Sequence, residues 1–150
     1  MAVDYKPDGY HDLTPAFVVD DAQSVLDFAT AALGAKERFI MRTPDGRIGH
    51  AELEIGDSVL FVAEASTSAQ GDHMPGVVNV YVQDVDTTYR KALAAGGTSL
   101  REPETMFYGD RSAAVRDAAG NQWGFATHVE DVPPEEMDRR MKEWEAQHQG

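Results

Sequence analysis

Apolar and polar positions along this chain form a series of strand-like and helix-like runs, and the series occurs twice. Residues 13–19 are β-branched and apolar, and Asp20-Asp21 ends them with carboxylates suited to cap a helix. Val25, Leu26, Phe28, Ala29, Ala32 and Leu33 follow at helical spacing, and Gly34 is the expected left-handed stop. Residues 36–43 read as a strand turned by Pro44-Asp45-Gly46, and residues 48–55 and 58–64 read as a hairpin around Gly56-Asp57. Residues 66–76, with Ser, Thr, Gln, Gly and Pro, read as a linker. The order then recurs, with a strand at 77–83, a helix from Asp84 to Gly96-Gly97 and a strand at 98–101. A loop at 103–109 and a hairpin of 111–116 with 122–127 complete the second series. A last helix is expected at about 134–147, after Pro133-Pro134, with Glu135 and Glu136 favouring its N-terminal dipole.

The repetition extends to residue identities. Val19, Asp21, Ala29, Ala31, Ala32, Gly34 and Arg38 match Val82, Asp84, Ala92, Ala94, Ala95, Gly97 and Arg101 at an offset of 63. Arg47, Gly56 and Phe61 match Arg111, Gly120 and Phe125 at 64. Composition alone accounts for matches between two Ala-rich helices, but not for those in strands and turns. We therefore read one domain made of two βαβββ modules, at about 12–65 and 77–129, preceded by a loose arm at 1–12.

Period-two alternation assigns the faces of the strands. Val78, Val80 and Val82 are expected under the helix, with Val77, Asn79 and Tyr81 opposite. Ala51, Leu53 and Ile55 alternate with His50, Glu52 and Glu54, and Ala113 and Val115 alternate with Ser112, Ala114 and Arg116. At the offset of 64, Val59, Phe61, Trp123 and Phe125 go to the helix side, and Leu60, Val62, Glu64, Gln122, Gly124, Ala126 and His128 go to the other. The faces away from the helices then collect His50, Glu52, Glu64, Asn79, Tyr81, Arg116, Gln122 and His128 among small and apolar residues. That mixture suits a ligand pocket, a mainly apolar wall carrying a few polar groups, better than a solvated sheet face.

Composition narrows the classes of function. The chain has 150 residues, no cysteine and a net charge of −13. A thiolate nucleophile or cysteine metal site is excluded, and a net charge of this sign opposes nucleic acid and anionic membrane surfaces. No apolar run approaches a membrane span, and the first residues lack a basic, apolar signal segment, so a cytoplasmic protein is expected. The last helix sets Met137, Met141 and Trp144 on one face, a stripe that needs a groove, either across a homodimer interface or on the chain's own sheet edge.

The phrases TPAFVVDDAQSVLDFATAALGA, GRIGHAELEIGDSVLFVAEA, VNVYVQDVDTTYRKALAAGG and YGDRSAAVRDAAGNQWGFATHVEDVPPEEM make the chain resemble the vicinal oxygen chelate superfamily. Glyoxalases, bleomycin-resistance proteins and extradiol dioxygenases belong to it, and the likeness is greatest to its PhnB-like branch. The resemblance implies an α+β fold in which tandem βαβββ modules form a cupped, barrel-like mixed sheet, commonly within a homodimer. It also implies four symmetry-related metal-ligand positions, which map here to Thr14, Leu60, Val77 and Gly124. None of the four is a metal donor.

The expected reading is accordingly a protein that binds a small organic molecule without metal or other cofactor, in the manner of sequestration and resistance proteins. His50, Glu52, Asn79, Tyr81, Tyr108, Arg111, Gln122 and His128 are its candidate ligand-binding residues, with Phe107 and Trp123 as further aromatic neighbours. Arg111 either holds a ligand carboxylate or braces a turn against Asp110. The alternative is a lyase, isomerase or dioxygenase with a displaced divalent metal on His50, Glu52, Glu64 and His128, or a metal-free acid–base catalyst using Tyr81, His50 or His128. Whether the protein is an enzyme is left open at this point.

Overall fold

Two aspartates start the two buried helices. In the computed structural model, which describes residues 2–67 and 71–149, the Asp21 carboxylate accepts from the Ser24 amide at 3.2 Å at the head of α1 (Ala22–Leu33). Asp84 accepts from the Thr87 amide, also at 3.2 Å, at the head of α2 (Val85–Ala94). Gly34 closes α1 at φ 66°, a backbone conformation that costs glycine nothing. Residues 68–70 of the expected linker lie outside the described residues.

Each helix covers one four-stranded mixed sheet. The first sheet has the order β1 (Ala16–Val19), β4 (Ser58–Glu64), β3 (Ile48–Ile55), β2 (Lys36–Arg42). The second has the order β5 (Val77–Tyr81), β8 (Gln122–His128), β7 (Asp110–Arg116), β6 (Thr98–Thr105). In both, the first strand runs parallel to the last and the other pairs are antiparallel. Strand β6 runs four residues past the expected 98–101, through Pro103. An edge strand tolerates this because one row of its amides has no partner strand.

Trp123 joins the modules. It is fully buried, packs edge-on against Phe17 of β1 at 5.4 Å between ring centroids, and meets Phe28 of α1, also at 5.4 Å. Its indole N–H donates to Asp117 at 2.9 Å, and Asp117 also accepts from the Asn121 side chain and from the amides of Ala119 and Asn121. The helix-covered faces of both sheets therefore share one core, which contains Val25, Leu53, Val62, Val85, Val115 and Phe125. Because both covered faces point inward, the two open sheet faces point outward. A single chain presents two half-cups rather than one closed cup.

The registers correct one expected set of faces. Phe17 pairs with Val62 where Val80 pairs with Phe125, so β4 matches β8 at an offset of 63, not 64. A shift of one residue exchanges the faces of a strand. Leu60 and Val62, opposite Leu53 and Ala51, therefore lie in the core, and Phe61, opposite Glu52, lies on the open face. Glu64 falls on the core side of the strand end, where its carboxylate accepts from the Ile48 amide at 2.9 Å. Gly124 is matched by Phe61 rather than by Leu60. The extra residue sits in the hairpin turns: Ile55 and Ser58 close around two residues, whereas Asp117 and Asn121 close around three.

The arm at the N-terminus is not loose. Arg38 donates to the Asp8 carbonyl at 3.0 Å and lies over the Tyr10 ring at 5.2 Å. Tyr10 in turn packs edge-on against Phe61 at 6.0 Å, so the arm covers part of the first open face. At the other end, α3 (Pro134–His148) has no buried residue. It is held by a two-pronged Arg140–Glu130 ion pair, by Arg140 donating to the Phe107 carbonyl at 3.2 Å, and by Trp144 against Phe107 at 5.8 Å. Met141 and Trp144 stay well exposed. Among the described residues no helix is long and apolar enough to cross a membrane.

Candidate functional site

Strand β8 builds the site through what it lacks. Gly124 and Ala126 put almost no side chain on the open face of the second sheet, so the strands on either side stand above them as walls. A cavity of about 320 Å³ results, at the small end for organic ligands. Asn79 and Tyr81 of β5 border it on one side, Ser112 of β7 and Arg101 of β6 on the other, and Tyr108 stands in the loop between β6 and β7. A Cβ on Gly124 would run into the Asn79 side-chain oxygen, so the glycine lets this amide lie across the floor.

A hydrogen-bond chain closes the end of the cavity. Asp110 is 8% exposed and takes the Tyr81 hydroxyl at 2.7 Å on one oxygen and His128 Nδ1 at 2.8 Å on the other. The second nitrogen of His128 meets Asp131 at 2.7 Å. Burial pushes the Asp110 carboxyl up, but the hydrogen bonds from His128 and Tyr81 outweigh it and hold the group below the usual aspartate value. Asp131 and Asp110, in that order, raise His128 above its ordinary 6.5. Asp131 is fully exposed, so salt weakens its share, and the nearly buried Asp110 is the steadier partner.

The sign of the pH dependence follows from those directions. His128 is raised, so its contribution to stability is complete below the unfolded value near 6.5 and is lost as pH rises through the folded value. Asp110 is lowered, so its contribution is present above about 4 and is lost as pH falls through the folded value. An NMR titration of the His128 ring should have its midpoint above 6.5, and Asp110→Asn should bring that midpoint down. An unchanged midpoint in the variant would remove Asp110 as the cause.

Of the residues expected at the site, Asn79, Tyr81 and Tyr108 line this cavity, and His128 closes its end through Asp110. Gln122 is on the same face but beyond the cavity, paired with Val77 and Arg116. Arg111 is elsewhere: it points to the helix side and grips Asp86 of α2 with two hydrogen bonds at 2.8 and 2.9 Å. Its carboxylate partner is Asp86 rather than the adjacent Asp110. Phe107 belongs to the α3 contact, and Trp123 to the core.

His50 and Glu52 occupy the other open face. Their side chains are 3.7 Å apart, and the His50 ring meets Phe61 at 4.7 Å and Phe39 at 6.4 Å. Glu64 faces the other side of its own sheet, and His128 belongs to the second sheet, so the four proposed metal donors do not converge. Among the described residues no group of three or more His, Asp or Glu side chains could hold an ion. The donor set of one chain does not fit a divalent metal, which needs several donors within about 2.0–2.6 Å.

Two residues escaped the sequence reading. Arg101 reaches the open face because β6 has a bulge between Ser99 and Arg101, and a bulge leaves no mark in an alternation pattern. The one available signal was its match to Arg38 in the repeat. Asp110 follows from the sequence only as a partner for its neighbour Arg111, whereas its partners in the fold, Tyr81 and His128, are 29 and 18 residues away.

A larger cleft of about 990 Å³ lies between the modules, among Leu33, Ile55, Val78, Val80, Asp84 and Lys91. It opens beside the unpaired edge of β5, and Asp84 there is committed to capping α2. The smaller cavity, closed by the Tyr81–Asp110–His128 chain, is the better candidate site.

The family model for the Glyoxalase/Bleomycin resistance protein/Dioxygenase superfamily matches residues 13–125. An uncharacterized protein of Mycobacterium tuberculosis is 33% identical over 150 residues, spanning 94% of this chain and 86% of that protein. Among solved structures, TioX from Micromonospora sp. ML1 is similar, with a TM-score of 0.66 and 26% identity over 78% of this chain and 98% of TioX. Lactoylglutathione lyase from Agrobacterium tumefaciens shares the fold with a TM-score of 0.61 at 18% identity, over 78% of this chain and 92% of that one.

Proposed function

The chain belongs to the glyoxalase/bleomycin-resistance/dioxygenase superfamily, and from that premise we propose that it is a stoichiometric binding protein for a small organic molecule, held on the open face of its second sheet. Within the superfamily we assign it to the PhnB-like branch, on the likeness carried by the four sequence phrases that span both modules and the start of α3. The observation that carries the binding reading is the cavity over Gly124 and Ala126, with aromatic and polar side chains converging on a nearly side-chain-free floor.

The same geometry favours binding over acid–base catalysis. Both nitrogens of His128 face carboxylates, which favour the protonated ring and leave neither nitrogen aimed at a guest. Tyr81 donates to Asp110, which raises its hydroxyl above the ordinary 10.0 and keeps it a phenol. These groups act as fixed hydrogen-bonding walls that orient a guest. A guest would meet the Tyr81 and Tyr108 rings beside an apolar floor.

A second copy of the chain is the partner we propose. Each open face is half of a cup, and Glu54 on the first is complementary in charge to Arg116 on the second. A twofold dimer would set the first face of each copy against the second face of the other. Light scattering at tens of micromolar should give twice the chain mass, and a monomer at that concentration would contradict the dimer. The binding reading is tested by calorimetry against candidate natural products. We expect a sub-millimolar ligand at one site per chain, with affinity unchanged by chelator, and failure of every candidate would remove its support.

A further inference from the structure

Arg101 is a cation at the candidate site with unused hydrogen-bonding capacity. One of its terminal nitrogens donates to the Ser112 carbonyl at 3.1 Å and to the Ser112 hydroxyl at 3.0 Å, which fixes the guanidinium against β7. It forms no ion pair with a described carboxylate, although the chain carries 26 acidic residues. Among the described residues no side-chain nitrogen or oxygen sealed from solvent lacks a partner, so the remaining N–H groups of Arg101 face open space. The guanidinium is thus half anchored and half free, beside the cavity that Tyr81 and Tyr108 also line.

The first module shows what such an arginine takes. Arg38 also comes from a bulge of its sheet's outer strand, between Glu37 and Phe39. Its guanidinium is occupied by the chain's own arm, through the Asp8 carbonyl oxygen at 3.0 Å and the Tyr10 ring at 5.2 Å. An acceptor oxygen next to an aromatic ring is therefore a partner this fold already supplies for an open-face arginine. The second module has no described segment in the same role.

Resting on the binding reading above, we infer that the ligand is an aromatic carboxylate, with its carboxylate on Arg101 and its ring over the Gly124–Ala126 floor beside Tyr81 and Tyr108. A carboxylate matches the planar N–H fork of arginine and forms charge-assisted hydrogen bonds that a neutral amide does not. The net charge of −13 repels an anion at long range, but screening over about 8 Å at physiological salt leaves the contact with Arg101 to decide the affinity.

The test compares 2-naphthoate with 2-naphthamide by calorimetry, on the wild-type chain and on Arg101→Gln, Arg101→Lys and Ala126→Phe. The wild type should bind the carboxylate about tenfold or more tightly than the amide. Arg101→Gln should remove that preference while leaving the amide affinity in place, and Arg101→Lys, which keeps the charge without the fork, should fall between. Ala126→Phe, which fills the floor, should weaken both probes. Equal affinities in the wild type, or a preference that survives Arg101→Gln, would overturn the carboxylate assignment while leaving the pocket intact. Binding that Ala126→Phe does not weaken, or no binding of either probe, would overturn the pocket reading and this inference with it.

Discussion

Trp123→Ala should unfold far more easily than the wild type, losing about 3–5 kcal/mol of stability from the cavity it leaves. The indole is fully buried between Phe17 and Phe28, residues of the first module, so its loss opens the seam between the modules rather than a hole inside one of them. It also takes one of four donors from Asp117, whose carboxylate is buried. In a chain of this length each kcal/mol moves the melting midpoint by roughly 2–4 °C, so a fall of roughly 6–20 °C is expected. Trp123→Phe should lose less, because a ring remains against Phe17 and Phe28. A calorimetric midpoint within 2 °C or so of the wild type would contradict the shared core.

Gly109→Ala should damage stability and binding together. Gly109 has φ 100°, and a Cβ there would enter the Glu130 carbonyl oxygen. That oxygen belongs to backbone and has no rotamer in which to move aside. The Gly109 carbonyl also accepts from the amides of Val129 and Glu130, at 2.9 and 3.1 Å, which ties the turn before β7 to the segment after β8. Backbone strain of about 1–3 kcal/mol and overpacking of similar size together give a loss of about 2–6 kcal/mol. Tyr108 and Asp110 flank the glycine, so whatever folded protein remains should bind ligand weakly and show a lower His128 midpoint. A variant with a wild-type melting curve and wild-type affinity would show that the turn does not position the site.

Features signalled by neighbouring residues were legible in the sequence. The Asp21 and Asp84 caps, the Gly34 stop and the hairpin turns depend on local chemistry, and the second module's faces follow its alternation. Features that hang on one residue of register were not legible. Arg47, Gly56 and Phe61 match at an offset of 64 where β4 and β8 pair at 63, and that one residue exchanges the faces of β4, bringing Leu60 into the core and Phe61 out. The β6 bulge concealed Arg101 in the same way, since pleat and register are set between strands and not along one of them. Arg111 was misplaced because its partner Asp86 lies on a helix 25 residues earlier in the chain. The N-terminal arm read as loose because Tyr10 and Asp8 find Phe61 and Arg38 only after the sheet has formed.

Amide chemical-shift mapping by NMR during titration with 2-naphthoate or a screened ligand reports whether the open face of the second sheet holds the ligand. Saturable shifts are expected at Asn79, Ser112, Gly124 and Ala126, with the intermodule cleft residues Ile55 and Val78 unmoved. Saturable shifts confined to the first sheet or to the cleft, with Gly124 and Ala126 silent, would contradict that placement.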